Sequence, residues 1–114
     1  MGDCLFCKIV EGAIPSERVF ENDHFIAFRD INPQATVHIL VVPKRHIEKL
    51  SDCHASEAET LSGLLLAANE IAEKLGIRDS GYRVVVNSGK EGGQVVFHLH
   101  LHLLGGQKLN DRMG

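Results

Sequence analysis

The stretch FHLHLHLLGG at residues 97–106 alternates imidazole and leucine side chains with a strict period of two. A helix would scatter that alternation around its circumference, whereas a strand sends successive side chains to opposite faces. Residues 95–104 are therefore expected to form a strand, with Leu99, Leu101 and Leu103 on a buried face and His98, His100 and His102 together on the other. A strand with one apolar face needs a second layer to cover it, so this segment commits the chain to a layered sheet protein.

The covering layer is legible in residues 56–77. Leu61, Leu64, Leu65, Ala68, Ile71, Ala72 and Leu75 recur at helical spacing and fall on one stripe. Ser56 and Glu59 have the spacing of a capping box, and Gly76 followed by Ile77 has the form of a left-handed C-terminal cap. Leu66 lies nearly opposite the stripe among Ser62, Glu70 and Glu73, where it is either an ordinary exposed leucine or a subunit contact.

The other segments supply more sheet. RVFENDHFIAFRD (18–30) reads as two short strands around a turn at Asn22 and Asp23. TVHILVVP (36–43) is apolar on both faces, the pattern of a central strand, and Pro43 stops it. YRVVVN (82–87) reads as a further strand, and residues 4–15 as a helical turn followed by a loop. The sum is one α+β domain over residues 1–114, a mainly antiparallel sheet of about five strands with one long helix on a face.

Composition narrows the function. With 44% hydrophobic and 24% charged residues the chain has an ordinary globular balance, and no apolar run approaches the roughly 20 residues of a membrane helix. No basic stretch followed by an apolar segment opens it, so a cytoplasmic chain without a membrane partner is expected. A net charge of −3 argues against a nucleic-acid partner, and the one basic cluster, PKRH at 43–46, reads as a solvated strand end. Three cysteines are an odd number in a reducing compartment: Cys53 reads as a small, partly buried residue, while Cys4 and Cys7 form a C-x-x-C.

Three readings of the histidine row stand side by side: a polar strand face, a zinc site built on H-x-H, and a site for nucleophilic and acid–base chemistry. The adjoining loop NSGKEGGQ (87–94) favours the last. It offers one carboxylate, Glu91, but several glycines, an amide at each end and a lysine, the composition of a backbone cradle for an anion. A neutral imidazole attacks phosphorus well, and its neighbours can hold its tautomer.

HLHLHLL at 98–104 resembles the signature of the histidine triad (HIT) family. The likeness runs along nearly the whole chain, through IPSERVFENDHFIAFRDINPQATVHILVVPKRHI (14–47) and GYRVVVNSGKEGGQVVFHLHLHLLGG (81–106). The ending LLGG is more similar to the purine nucleoside phosphoramidase branch than to the diadenosine polyphosphate hydrolases. The resemblance implies a HIT-like fold, a homodimer, and hydrolysis of purine nucleoside 5′-phosphoramidates through a covalent nucleotidyl-histidine, with no cofactor for catalysis. It makes His100 the nucleophile, His102 a contact to the phosphate and departing group, and His98 and His38 the residues that hold the nucleophile. Asn87 and the loop around Gln94 would bind phosphate oxygens, and Asp30 the ribose hydroxyls. Leu5, Phe6, Ile9, Phe28, Ile31 and Leu40 would enclose the base.

Other readings stay open beside these. Asp30 also suits a turn before Asn32–Pro33, and Phe28 and Leu40 suit plain core packing. Dinucleoside polyphosphate hydrolysis and a regulatory nucleotide-binding module are the rival functions. Val95 stands where some relatives carry a phosphate-binding serine, and the polar tail QKLNDRMG (107–114) lacks an aromatic residue found in others; both bear on the leaving group. The resemblance also implies a structural zinc on Cys4, Cys7, His46 and His98, a closed set of two thiolates and two imidazoles. Without it, C-x-x-C equally describes two small residues packed in a turn.

Overall fold

Five strands make one sheet in the order β1-β2-β3-β5-β4, every neighbouring pair antiparallel. They are β1 (Arg18–Glu21), β2 (Phe25–Arg29), β3 (Val37–Pro43), β4 (Tyr82–Val85) and β5 (Leu101–Gly105). Helix α1 (Leu5–Val10) precedes them, and helix α2 (Ala58–Lys74) follows two 3-10 turns at Leu50–Asp52 and Ala55–Glu57. The structure, a computed structural model, describes residues 3–112; Met1, Gly2 and the last two residues of the 107–114 tail lie outside them.

β3 is central because both of its faces are apolar. Ile39 and Val41 pack toward α2, while Leu40 and Val42 join Phe6, Ile9, Ile26 and Phe28 on the opposite face, beneath α1. The β1–β2 turn forms at Asn22 as expected: its side-chain oxygen accepts the N–H groups of His24 (2.9 Å) and Phe25 (2.8 Å). Because α1 is short, it covers only part of its face. The remainder, over β5, is where the histidines open.

α2 turns Leu64, Ala67, Ala68, Ile71 and Ala72 into the sheet, with Leu61 and Leu75 half-buried against the same core. Leu65, expected on this stripe, is instead 52% exposed. At about 100° per residue it lies at the stripe's margin beyond Ala72, and Ala67 fills the opposite margin. The expected capping box does not form either. Glu57 is the N-cap and makes no side-chain cap bond, while Ser56 lies inside the preceding 3-10 turn and meets the Glu57 carboxylate. The C-terminus is as expected: Gly76, at φ +76°, donates to Glu73 O (3.1 Å), and buried Ile77 donates to Ala72 O (2.9 Å).

Two strands are shorter than the sequence pattern predicts. The β5 ladder begins at Leu101, not at 95, because its partner β3 ends in Pro43 and the Leu99 N–H turns away to Ile47 O (2.6 Å). β4 ends at Val85, its last rung being Val85 opposite His102. The alternation nevertheless continues past the ladder. Leu99, Leu101 and Leu103 all enter the α2 core, and His98 and His100 are buried on the other side.

Gly63 explains how closely α2 approaches β2. A Cβ there would lie 2.5 Å from the ring of Phe25, which is itself buried. Gly63→Ala should therefore destabilise the fold by about 1–3 kcal/mol through overpacking, although alanine favours helix by about 1 kcal/mol. Urea unfolding measures it, and an unchanged or raised midpoint would contradict the close approach.

Candidate active site

The backbone fixes which nitrogen of each histidine carries a proton. His100 Nδ1 lies 2.7 Å from the carbonyl of His98, which can only accept, so Nδ1 is the N–H and Nε2 keeps its lone pair. His38 is set the opposite way. Its Nδ1 accepts the Gln34 N–H (3.0 Å), so the proton sits on Nε2, which donates to His102 Nδ1 (2.9 Å). His102 then carries its own proton on Nε2. A bare nitrogen on His100 and an N–H on His102 thus stand side by side, with ring centroids 5.0 Å apart.

Burial holds these rings neutral. It is the largest cause lowering His38, His98 and His100 below the ordinary imidazole value, against weaker opposition from Asp30 at His38 and from a carbonyl at the other two. His102 is lowered furthest, to about 4, by burial and then by the charges His100 and His38 would carry; Asp30 works against it. Neutral rings suit nucleophilic attack.

His38, His100 and His102 line a pocket of about 520 Å³ whose walls are Leu5, Phe6, Ile9, Phe28 and Leu40, with Ile31 at its mouth. Phe6 meets the His100 ring edge-on at 5.0 Å, so the apolar wall and that imidazole are in contact. Ile31 and Val95 are 91% and 87% exposed, two apolar side chains on the rim. Asp30 also lines the pocket: one carboxylate oxygen accepts the Asn32 N–H (2.8 Å), as a turn residue would, and the other lies 3.5 Å from His38 Nε2. Asn87 lines it too, its amide tied to Gly92 O (2.7 Å).

Two expected site residues act through groups other than a side chain in the pocket. Gln94 does not reach the pocket with its side chain. Buried, it accepts the Gly89 N–H (2.8 Å) and donates to Glu48 O and Val96 O, so both ends of its amide shape the loop instead. The His98 side chain points away from the pocket, and it is the His98 carbonyl that holds the His100 ring. The sequence reading also missed Gln34, whose N–H sets the His38 tautomer; the Asn32–Pro33 turn before β3 was its one signal.

His98 turns toward Cys4, Cys7 and His46. Its Nε2 donates to Pro43 O (2.8 Å), which leaves Nδ1 bare. That nitrogen lies 3.3 Å from Cys4 Sγ, 3.6 Å from Cys7 Sγ and 3.2 Å from His46 Nδ1, and Cys7 Sγ is 3.4 Å from His46 Nδ1. Zinc bonds of about 2.3 Å to sulfur and 2.0–2.1 Å to nitrogen in a tetrahedron give edges of about 3.6 and 3.3 Å. The four donors fit a zinc ion, and the carbonyl on the far nitrogen is the usual outer support of a ligating imidazole. Asp30, His38 and His102 also bring donor atoms within 4.8 Å of one another. They suit a metal less well, because the Gln34 N–H on His38 Nδ1 puts a proton on the nitrogen that would ligate.

The fold and site define a class: a small α+β domain that presents neutral, tautomer-fixed imidazoles from a strand into an apolar pocket. The HIT domain model matches residues 11–109. A HIT-like protein of Chlamydia muridarum is 50% identical over 102 residues, covering 90% of this chain and 80% of that protein. The crystal structure of a HIT family hydrolase from Legionella pneumophila superposes with a TM-score of 0.95 at 46% identity, over 98% of this chain and 100% of that one. The histidine triad nucleotide-binding protein of Candida albicans gives 0.81 at 31% identity, over 98% and 87%. The chain belongs to the HIT domain family.

Depressed histidines make stability depend on pH with a definite sign. Between pH 6.5 and about 4 an unfolded His102 is protonated and the folded one is not, so the unfolded state binds more protons and stability falls on acidification through that window. Urea unfolding of wild type and His102→Asn across this window should give a shallower slope for the variant, by up to one proton. Equal slopes would contradict the depressed value.

Proposed function

We propose that this domain hydrolyses purine nucleoside 5′-phosphoramidates and related conjugates through a covalent nucleotidyl-histidine, releasing the nucleoside monophosphate. The observation that carries the reading is the bare Nε2 of His100 beside an apolar pocket that has a carboxylate in its wall. A purine stacks well between Phe6, Phe28, Leu40 and Ile31. The free oxygen of Asp30 suits a ribose hydroxyl, and Asn87 with the glycine-rich loop suits phosphate oxygens. The hydrolase and nucleotide-binding names of the Legionella and Candida proteins point the same way.

The electron bookkeeping closes with imidazoles alone. The His100 Nε2 lone pair forms the bond to phosphorus, the bond to the departing nitrogen breaks, and its electron pair stays with that nitrogen. Protonated His102, favoured once an anionic phosphate lies beside it, supplies the proton that makes the amine neutral. The cationic His100 adduct is supported by its Nδ1–H on the His98 carbonyl. Water then attacks phosphorus, gives a proton back to His102, and the electron pair of the N–P bond returns to His100. His100→Asn should cut turnover by several orders of magnitude and preserve nucleotide binding. A variant that kept more than about a tenth of the rate, the range of a mere positioning residue, would remove His100 from the nucleophile's role.

Zinc on Cys4, Cys7, His46 and His98 is part of the proposal as a structural tie. When bound, it cross-links the start of α1, the segment after β3 and the lead-in to β5. Metal analysis should find about one equivalent per chain, lost in a Cys4→Ser, Cys7→Ser variant whose thermal midpoint falls. Metal-free wild type of unchanged stability would leave both cysteines as packing residues.

A homodimer completes the reading. β4 is an open edge, and Val84 on it is exposed. The Tyr82 hydroxyl donates to Asn69 on α2, one turn from Leu65 and Leu66, which are 52% and 65% exposed. This apolar surface suits a two-fold contact. Sedimentation should show a dimer, weakened by Leu65→Glu with Leu66→Glu; a monomeric wild type would exclude it.

A further inference from the structure

A second cleft, of about 480 Å³, opens beside the pocket. His38, His102, Gln34 and Asn87 line both cavities, whereas His100 lines only the apolar one. In a phosphoryl displacement the attacking and departing atoms lie roughly in line on opposite sides of phosphorus. With phosphorus in reach of His100, the departing group therefore points past His102 and Asn87 into the second cleft.

That cleft is rich in donors. Arg83 alternates with Val85 and Asn87 along the β4 segment, so strand geometry sends all three to the site face. Its guanidinium is anchored on Asn110 O (2.5 Å), and among the described residues it has no carboxylate partner within the 4.0 Å of a salt bridge. Lys108 adds a second cation. Gln107 accepts the Thr36 N–H (2.6 Å) and hydroxyl (2.7 Å) on its amide oxygen, which leaves its NH2 group as the open end. No aspartate or glutamate is among the lining residues described, although the chain carries a net charge of −3.

Resting on the proposed reaction at His100, we infer that the departing group is anionic: an amine bearing a carboxylate, or a polyphosphate. Arg83 and Lys108 hold that charge while the bond to phosphorus breaks. A departing amine takes its electron pair and a proton from His102, whereas a polyphosphate leaves as the anion and needs none. The specificity residues for the leaving group are then Arg83 and Lys108, on the opposite side of the histidines from the base.

The test compares adenosine 5′-phosphoramidates of glycine and of glycinamide, which differ in charge and little in size. The glycine conjugate should be preferred in kcat/KM by roughly tenfold to hundredfold, the range of hydrogen bonds to charged groups. The preference should shrink with added salt, and toward unity in Arg83→Gln with Lys108→Gln. The same ratio read as Kd in His100→Asn does not need turnover. Hydrolysis of the unsubstituted phosphoramidate reports separately on the parent reaction. Diadenosine tetraphosphate as the better substrate would assign the anion to a polyphosphate, and the glycine conjugate would assign it to a carboxylate. Equal kcat/KM and equal Kd for the two conjugates, or a preference untouched by both salt and the double substitution, would overturn the inference.

Discussion

The hydrogen bond from His100 Nδ1 to the carbonyl of His98, at 2.7 Å, is the contact on which the site depends. An imidazole in water exchanges between tautomers and protonates near neutrality. Here a backbone acceptor two residues away fixes the proton on one nitrogen, and burial keeps the other one free. Neither effect needs a neighbouring carboxylate. The acceptor is available because residues 98–100 lie outside the regular ladder, where a carbonyl is not obliged to pair with the next strand.

That irregularity also lets one short segment serve three surroundings. Leu99, Leu101 and Leu103 anchor it in the core under α2. His98 faces the Cys4, Cys7 and His46 donors, with Pro43 O fixing its tautomer as the His98 carbonyl fixes that of His100. His100 and His102 face the cavities. A disturbance at the cysteine cluster thus reaches His100 through one residue, since His98 supplies a side chain to one site and a carbonyl to the other.

Much of this was legible in the residues. The period of two in HLHLHLL separated the leucine core from the histidines even where no ladder forms, because the alternation belongs to extended backbone rather than to pairing. The apolar run at 36–43 marked the central strand, and Gly76 marked the helix end. What escaped were features set by partners distant in sequence. Leu65 satisfies the helical period but not the width of sheet beneath it. The loop around Gln94 suits phosphate by its composition, whereas the bonds that commit the Gln94 side chain to Glu48 O and Gly89 N are invisible before folding. Arg83 sits at strand spacing from Asn87, yet only the fold shows that its neighbours in space are Lys108 and Gln107.

The protonation pattern of the row governs the chemistry of the site, and long-range ¹H–¹⁵N correlation spectra of histidine-labelled protein at pH 7.5 read it directly. His100 is expected as the Nδ1–H tautomer and His38 as the Nε2–H tautomer, both neutral, with His102 carrying its proton on Nε2 alone. A His100 carrying its proton on Nε2, or charged at that pH, would contradict it.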